Sequence, residues 1–258
     1  MVRTKSTRLL RGRISLALIT ACVIFTTVQP AHATSASFIG SPTEYALVGG
    51  MLGATALLEW KPINQNHPLL GGEQRSYIER ERVPDWLLGV VHVGALAVTR
   101  FHPATSEAQA RYSHGYVMAA SVNAFATSLT KAVVGRRRPN YEDAPNHGTE
   151  SKSKSFYSGH ASNTFLIATY LSLYTWRQAD NRAWEIGIPA MLYAAATYTA
   201  WTRVAEHRHY AGDVIAGAVA GTTVGALVFT WYDRMTPSGA TSARIAPYPR
   251  GIAVIVPL

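Results

Sequence analysis

Residues 202–213 read Thr-Arg-Val-Ala-Glu-His-Arg-His-Tyr-Ala-Gly-Asp, and a run without charged residues extends from 214 to 232. The uncharged run predicts a helix that begins near Ala211. His209 and Asp213 are four residues apart, so we expect both side chains on one helical face. Such a pair is as often structural as catalytic, but a held imidazole can act as a nucleophile. Arg203, six residues before His209, can bind two oxygens of a phosphate.

A second motif is basic. Residues 131–139 read Lys-Ala-Val-Val-Gly-Arg-Arg-Arg-Pro. A helix that ends near Gly135 would let Lys131 and Arg138 face one anion. Basic residues at a helix C-terminus are also common as solvated charges that complement the helix dipole, so this motif alone does not establish a site.

A third motif, residues 155–162, reads Ser-Phe-Tyr-Ser-Gly-His-Ala-Ser. Ser158 is a typical N-cap residue, and the N–H groups of Gly159 and His160 would then be free to bind an anion at the start of a helix. Since the pKa of histidine lies near neutrality, His160 can pass a proton to a leaving oxygen. Taken alone, the motif is more often only a helix cap.

The apolar pattern predicts an all-α fold with six helices and no half-buried strand. The predicted helices cover residues 43–60, 84–100, 106–134, 159–176, 182–203 and 211–233. Gly217, Gly221 and Gly225 recur every fourth residue, a spacing that lets two helix backbones approach closely. We predict one helical domain over 34–239 and a tail over 240–258 that forms a small hairpin or stays loosely attached.

The N-terminal segment resembles an export signal. Five basic residues precede an apolar stretch at 14–28, and small residues surround Ala33, so residues 1–33 are predicted to be a signal peptide. An uncleaved anchor and a lipoprotein cleavage box ending at Cys22 are alternatives.

Removal of residues 1–33 would lower the net charge from +9 to +4, because that segment holds five of the 24 basic residues and none of the 15 acidic ones. The basicity therefore gives no reason to expect nucleic acid as a partner. The only cysteine, Cys22, would leave with the segment, which excludes disulfides and cysteine metal sites from the mature chain.

The three motifs together resemble the type 2 phosphatidic acid phosphatase family, which includes bacterial acid phosphatases and vanadium haloperoxidases. That family carries KxxxxxxRP, PSGH and SRxxxxxHxxxD in this order, and the chain matches them at the same internal spacings. Tyr157 stands where the family has proline, which puts the rigidity of the loop in doubt, and Thr202 replaces serine but keeps the hydroxyl.

The resemblance implies a role for each motif residue. His209 would attack phosphorus and form a phosphohistidine, Asp213 would orient His209, and His160 would serve as general acid and base. The phosphate would be bound by five residues: Lys131, Arg138, Ser158, Gly159 and Arg203. No cofactor and no metal are expected. His207, His209 and Asp213 could be considered as metal ligands, but His207 and His209 are two residues apart and would point to different sides of a helix, which disfavours a shared ion.

The substrate is expected to be a phosphorylated lipid or a small phosphate ester. A soluble acid phosphatase, a vanadate-dependent haloperoxidase and a non-catalytic lipid-phosphate binder remain alternatives. Several predicted helices are short for a membrane span, and six spans after an exported leader would leave the site in the cytoplasm. We therefore expect a periplasmic bundle, soluble or bound to a membrane, with an integral inner-membrane protein as the alternative. The sequence does not indicate the oligomeric state.

Overall fold

The computed structural model describes residues 38–60, 69–79, 81–103, 105–142, 152–235, 244–248 and 251–255. Six α-helices account for most of these residues, and their order and positions confirm the predicted all-α fold. They are α1 Pro42–Trp60, α2 Asp85–Phe101, α3 Ser106–Val134, α4 Gly159–Gln178, α5 Arg182–Ala205 and α6 Ala211–Arg234.

The helix ends follow from local side-chain chemistry. Thr105 precedes α3 and accepts a hydrogen bond from the backbone N–H of Ala108, and Asn181 caps α5 by accepting from Ala183. Gly135 ends α3 in the left-handed conformation with φ of 60°, which glycine adopts without steric cost. The chain therefore turns at Gly135, as the sequence predicted.

Close contact between α4 and α6 forms the centre of the bundle. The three glycines of α6 lie against α4, which confirms the predicted close approach. A Cβ on Gly217 would lie 2.6 Å from the carbonyl oxygen of Ser158, and one on Gly221 would overlap the carbonyl of Ser162. A side chain at either position would separate α6 from the N-terminal part of α4, which carries His160.

The main hydrophobic core is aromatic. Tyr112 stacks on Phe229 with 5.7 Å between ring centroids, and Tyr170 packs edge-on against Phe229 at 5.1 Å. The hydroxyl of the fully buried Tyr170 donates to the carbonyl of Tyr112. These rings join the first part of α3 to the last parts of α4 and α6, so they hold the end of the bundle that lies away from the three motifs.

Two helices of the described chain, α3 and α6, are long and apolar enough to cross a membrane by length and composition. In the tail, β1 (Arg244–Tyr248) pairs antiparallel with β2 (Gly251–Ile255), in agreement with the hairpin alternative. The predicted signal peptide at residues 1–33 lies outside the described residues.

Candidate active site

The three motifs meet at one end of the bundle, where α1, α3 and α5 end and α2, α4 and α6 begin. His209 lies in the turn between α5 and α6, and its backbone N–H donates to the carbonyl of Arg203 at 3.1 Å. The backbone N–H of Ser158 donates to the carbonyl of Asp213 at 3.0 Å, which ties the second motif to the third. The contacts below bring all eight predicted site residues to this end.

His209 is buried and held by the main chain of Ser155. Its Nδ1 lies 2.8 Å from the carbonyl oxygen of Ser155. Since a carbonyl can only accept, Nδ1 carries the hydrogen and Nε2 keeps a free electron pair. Burial lowers the pKa of His209 to about 4, with the positive charges of Arg138 and Lys131 acting in the same direction. The imidazole is therefore neutral at neutral pH, as a nucleophile requires.

Asp213 lies close to His209, but its carboxylate accepts hydrogen bonds from other groups. Its carboxylate is 3.7 Å from Nδ1 of His209, an ion-pair separation and not a hydrogen bond. The carboxylate accepts from Arg136 Nη1 at 2.6 Å, from the Ser155 hydroxyl at 2.5 Å and from the backbone N–H of Tyr210 at 3.1 Å. The predicted pairing of Asp213 with His209 is thus mainly indirect in this structure, through Ser155.

His160 presents an N–H donor from the second position of α4. Its Nε2 lies 3.2 Å from the carbonyl oxygen of Val83 and 3.4 Å from the Asp85 carboxylate. Because Val83 offers only an acceptor, Nε2 must carry a hydrogen. A leaving oxygen in the place of the Val83 carbonyl would receive the same N–H, which is the geometry that a general acid needs.

The positive charge of the site comes from three predicted phosphate ligands, Lys131, Arg138 and Arg203, and from one further arginine, Arg208. A Cβ on Gly159 would lie 3.3 Å from Lys131 Nζ, so the ammonium rests against the start of α4. Burial, together with the charges of Arg208 and Arg203, lowers the pKa of Arg138 to about 10. The guanidinium stays charged at neutral pH, beside other cations.

The Nε atoms of Arg138, Arg203 and Arg208 are buried without a hydrogen-bond partner among the described residues. Buried N–H donors of this kind are normally paired, so three of them near one another indicate a site that an anion fills. Arg208 was not among the predicted ligands.

Arg203 is held by acceptors that a phosphate would have to displace or join. Its guanidinium bonds to Glu81 at 3.1 Å, to the carbonyl of Val83 at 2.8 Å and to Glu206 at 2.9 Å. Glu206 is fully buried, and it also accepts from the backbone N–H of Arg82 at 2.7 Å. Glu206 therefore fixes Arg203 from behind, whereas Glu81 competes with a substrate anion for it.

The second motif behaves as predicted at its cap. The Ser158 hydroxyl accepts from the backbone N–H of Ala161 at the start of α4, which confirms the N-cap. Tyr157, which replaces the proline of the family, is buried, and its hydroxyl accepts from Thr127 at 3.3 Å. A side-chain contact to α3 thus supports the loop where proline would restrict the backbone. Thr202 donates to the carbonyl of Thr199 and lies inside α5.

Two loops lie against the site where the structure describes them, the first between α1 and α2 and the second between α3 and α4. The first loop contacts the third motif through two carbonyl groups. The carbonyl of Glu73 accepts from the Tyr210 hydroxyl at 3.1 Å, and that of Ser76 lies 2.8 Å from His207 Nδ1. Lys154, in the second loop, is not available to attract anions. Lys154 is buried and pairs with Glu59 at the end of α1 at 2.7 Å, so its charge is compensated inside the protein.

One group of possible metal ligands occurs in the described chain, and it differs from the set considered above. The ligand atoms of Glu81, Asp85 and His160 lie within 4.8 Å of one another. The two carboxylates are exposed, and each already faces a cationic or donor group of the site. We assign no metal to them.

Comparison with known proteins agrees with the geometry. The profile of the PAP2 superfamily matches residues 113–237, a range that contains all three motifs. Residues 113–237 therefore belong to the PAP2 superfamily. The match confirms the family that the motifs resemble, and it extends from the first part of α3 through the whole of α6.

The curated proteins that the chain resembles include phospholipid phosphatases by name. Phospholipid phosphatase 2 of Mus musculus is 29% identical over 139 residues, which cover 43% of this chain and 49% of the mouse protein. The Bos taurus protein of the same name is 30% identical, with 43% and 47% covered. A PA-phosphatase related-family protein of Dictyostelium discoideum is 26% identical, with 57% and 59% covered. The chain spans about half the length of the first two relatives. No solved structure shows significant similarity to it.

Proposed function

We propose that this protein is a metal-independent phosphatase that hydrolyses lipid phosphates through a phosphohistidine on His209. The observation that carries the proposal is the set of buried, unpartnered guanidinium N–H groups beside a neutral histidine. Membership of the PAP2 superfamily and the names of the curated relatives support the same reaction class.

The first half of the reaction transfers the phosphoryl group to the enzyme. Nε2 of His209 forms a bond to phosphorus while the bond from phosphorus to the leaving oxygen breaks. His160 acts in its protonated, charged form, which the negative charge of the bound phosphate favours. It gives its Nε2 proton to that oxygen and becomes neutral, and the oxygen leaves as an alcohol or a phosphate. Lys131, Arg138 and Arg203 stabilise the charge on the non-bridging oxygens, and these fixed cations supply the positive field that a metal provides in other phosphatases.

The second half frees the histidine. Neutral His160 accepts a proton from water, the water oxygen bonds to phosphorus, and the bond to Nε2 of His209 breaks, which releases inorganic phosphate. Because Ser155 holds Nδ1, the imidazole keeps its orientation throughout both steps. The enzyme returns to its starting protonation state after one water is consumed.

Exposed apolar side chains favour a membrane location over a soluble bundle. Both ends of the bundle carry exposed tryptophans, namely Trp60, Trp86 and Trp201 near the site and Trp176, Trp184 and Trp231 towards the other end. The shortest helix, α2 with 17 residues, is about 25 Å long. Tryptophans at both ends of apolar helices are typical of proteins that lie in a bilayer, whose hydrocarbon core is about 30 Å thick. This supports the integral alternative and a lipid as substrate.

The test is phosphate release by the purified full chain from matched substrates. Phosphatidate and an isoprenyl diphosphate in detergent micelles are compared with a soluble aryl phosphate. We expect the highest kcat/KM for a lipid and no turnover by His209→Ala. A higher kcat/KM for the aryl phosphate would contradict a lipid substrate, and retained turnover in His209→Ala would contradict the mechanism. Release of the protein from membranes by high salt would contradict the integral location.

A further inference from the structure

A buried hydrogen-bond network lies behind His209, on the side away from the phosphate ligands, and the motifs assign no role to most of its members. Asp213, Ser155 and Arg136 form its core, and Asp213 and Ser155 are fully buried. The side chain of Arg136 is 15% exposed, so it too is mostly removed from water.

Ser155 makes three polar contacts in this network. Its carbonyl accepts from Nδ1 of His209 at 2.8 Å, its hydroxyl donates to Asp213 at 2.5 Å, and its N–H donates to the carbonyl of Arg136 at 2.9 Å. The residue that orients the imidazole is thus itself fixed by a carboxylate on α6 and by the chain that follows α3. Loss of either anchor would free the carbonyl to move.

Three contacts fix the guanidinium of Arg136. Nη1 lies 2.6 Å from Asp213, Nε donates to the carbonyl of Gly71 at 2.9 Å, and the guanidinium carbon lies 4.0 Å above the ring of Tyr210. The charge-assisted hydrogen bond between Arg136 and Asp213 is shielded from water and therefore strong, and the planar guanidinium restricts the positions that the carboxylate can take. Arg136 therefore sets the position of the Asp213 carboxylate.

We propose that Arg136 and Ser155 are positioning residues for the nucleophile, which hold Asp213 and, through the Ser155 carbonyl, fix the orientation and tautomer of His209. The inference deepens the proposed function and rests on it. Asp213 acts on His209 by keeping Ser155 in place and by its charge at 3.7 Å, not by a direct hydrogen bond.

The pH at which His209 binds a proton depends on the charges around it. A purely structural role of Arg136 would leave this pH unchanged. Two cations act on His209, namely Lys131 on α3 and Arg138 in the segment after it. His160 on α4 also faces His209, and Asp213 supplies the negative charge. Arg136 neutralises part of the Asp213 charge. Its removal leaves the carboxylate more negative towards His209, so His209 should bind a proton at higher pH.

The experiment compares Arg136→Gln and Ser155→Ala with the control Arg137→Gln, in which the neighbouring, exposed arginine over Tyr141 is changed. Each full-length variant is assayed for kcat, KM and vanadate inhibition as a function of pH. We expect both test variants to lose about 10- to 100-fold in kcat, with KM and vanadate affinity within about threefold. In Arg136→Gln the acid limb of kcat/KM should move to higher pH.

Arg136→Lys keeps a positive charge and should restore part of kcat. This variant keeps the test valid if Arg136→Gln fails to fold. The inference is overturned if both test variants match Arg137→Gln, if the loss lies in vanadate affinity, or if the acid limb does not move. An inactive wild-type protein would instead contradict the proposed function. The two failures are therefore distinguishable.

Discussion

Glu81 and Arg203 form an ion pair at the mouth of the candidate active site, with 3.1 Å between the carboxylate and Nη1. The Glu81 side chain is 31% exposed, whereas that of Arg203 is 3% exposed. The Glu81 carboxylate extends inward from the surface and accepts from Arg203 Nη1, a donor that would bind phosphate in the proposed mechanism. This contact leads to the first prediction.

Glu81→Gln should strengthen the binding of phosphate. Removal of the competing charge frees Arg203 and lowers the negative potential at the entrance, so we expect KM and the inhibition constant of vanadate to fall about two- to tenfold. Glu79→Gln, an exposed acid two residues earlier, is the control. A rise in KM would show that Glu81 supports the site instead of competing for it.

Gly159→Ala should impair the site without weakening the fold. The new Cβ would lie 3.3 Å from Lys131 Nζ, and the ammonium must shift to make room. We expect vanadate affinity to drop about three- to tenfold, while the melting temperature stays the same or rises because alanine favours helix. Gly212→Ala is the control, since a Cβ there meets no atom within 4 Å. Equal kinetics for both variants would contradict the placement of Lys131.

Gly221→Ala should destabilise the bundle. The added Cβ would overlap the main chain of α4 at Ser162, and backbone cannot give way as a flexible side chain can. We expect a loss of about 2–4 kcal/mol in the free energy of unfolding. Gly49→Ala in α1, where the Cβ is unobstructed, should be neutral or slightly stabilising. Thermal unfolding of both variants in the same detergent makes the comparison.

Stability should decline in acid because His209 is buried in its neutral form. The pKa of His209 is lowered to about 4 in the folded protein, below the ordinary 6.5. Between these values the unfolded state binds more protons, so this contribution is complete above pH 6.5 and is lost as the pH falls towards 4. The difference corresponds to on the order of 3 kcal/mol. Unfolding of wild type and His209→Gln from pH 7 to 4 measures it, and parallel curves would contradict it.

Chelators should leave the activity unchanged, because the proposed charge stabilisation comes from Lys131, Arg138 and Arg203. Dialysis against EDTA followed by an assay with and without added Mg²⁺ or Zn²⁺ provides the measurement. Activity that disappears on dialysis and returns with one of these ions would contradict a metal-independent reaction and direct attention to Glu81, Asp85 and His160.

The sequence predicted the helices well because their boundaries are local. Gly135 and the cap of Ser158 act within a few residues, and the helix bounds differ from the prediction by two residues at most. The convergence of the motif residues was expected from their match to the family motifs, and the structure brings them to one end of the bundle. Both kinds of inference depend on short stretches of chain.

The supporting residues were not predictable, because their partners lie far away in sequence. Lys154 meets Glu59 across 95 residues, and Arg136 meets Asp213 across 77. Glu206 stands among charged residues in the sequence, yet it is fully buried behind Arg203. No periodicity or spacing encodes such contacts, and only the packed bundle shows which charges are compensated and which remain available for a substrate.

Arg208 is the further cation that the structure adds to the site. Its Nε is buried without a partner among the described residues, and its charge acts on Arg138. Arg208→Gln should therefore raise KM about three- to tenfold, with a larger effect for a diphosphate than for a monophosphate because the former carries more charge. Arg137→Gln again serves as the control, and an unchanged KM for both substrates would remove Arg208 from the site.

The central claim, a covalent phosphohistidine on His209, is tested most directly by trapping it. The full-length enzyme is mixed with a ³²P-labelled substrate, quenched in alkaline denaturant, and the labelled peptide is sequenced by mass spectrometry. We predict an acid-labile, alkali-stable label on His209 in the wild type and none in His209→Ala. Turnover of the same substrate with no labelled histidine at any time point, or a label on another residue, would contradict the account.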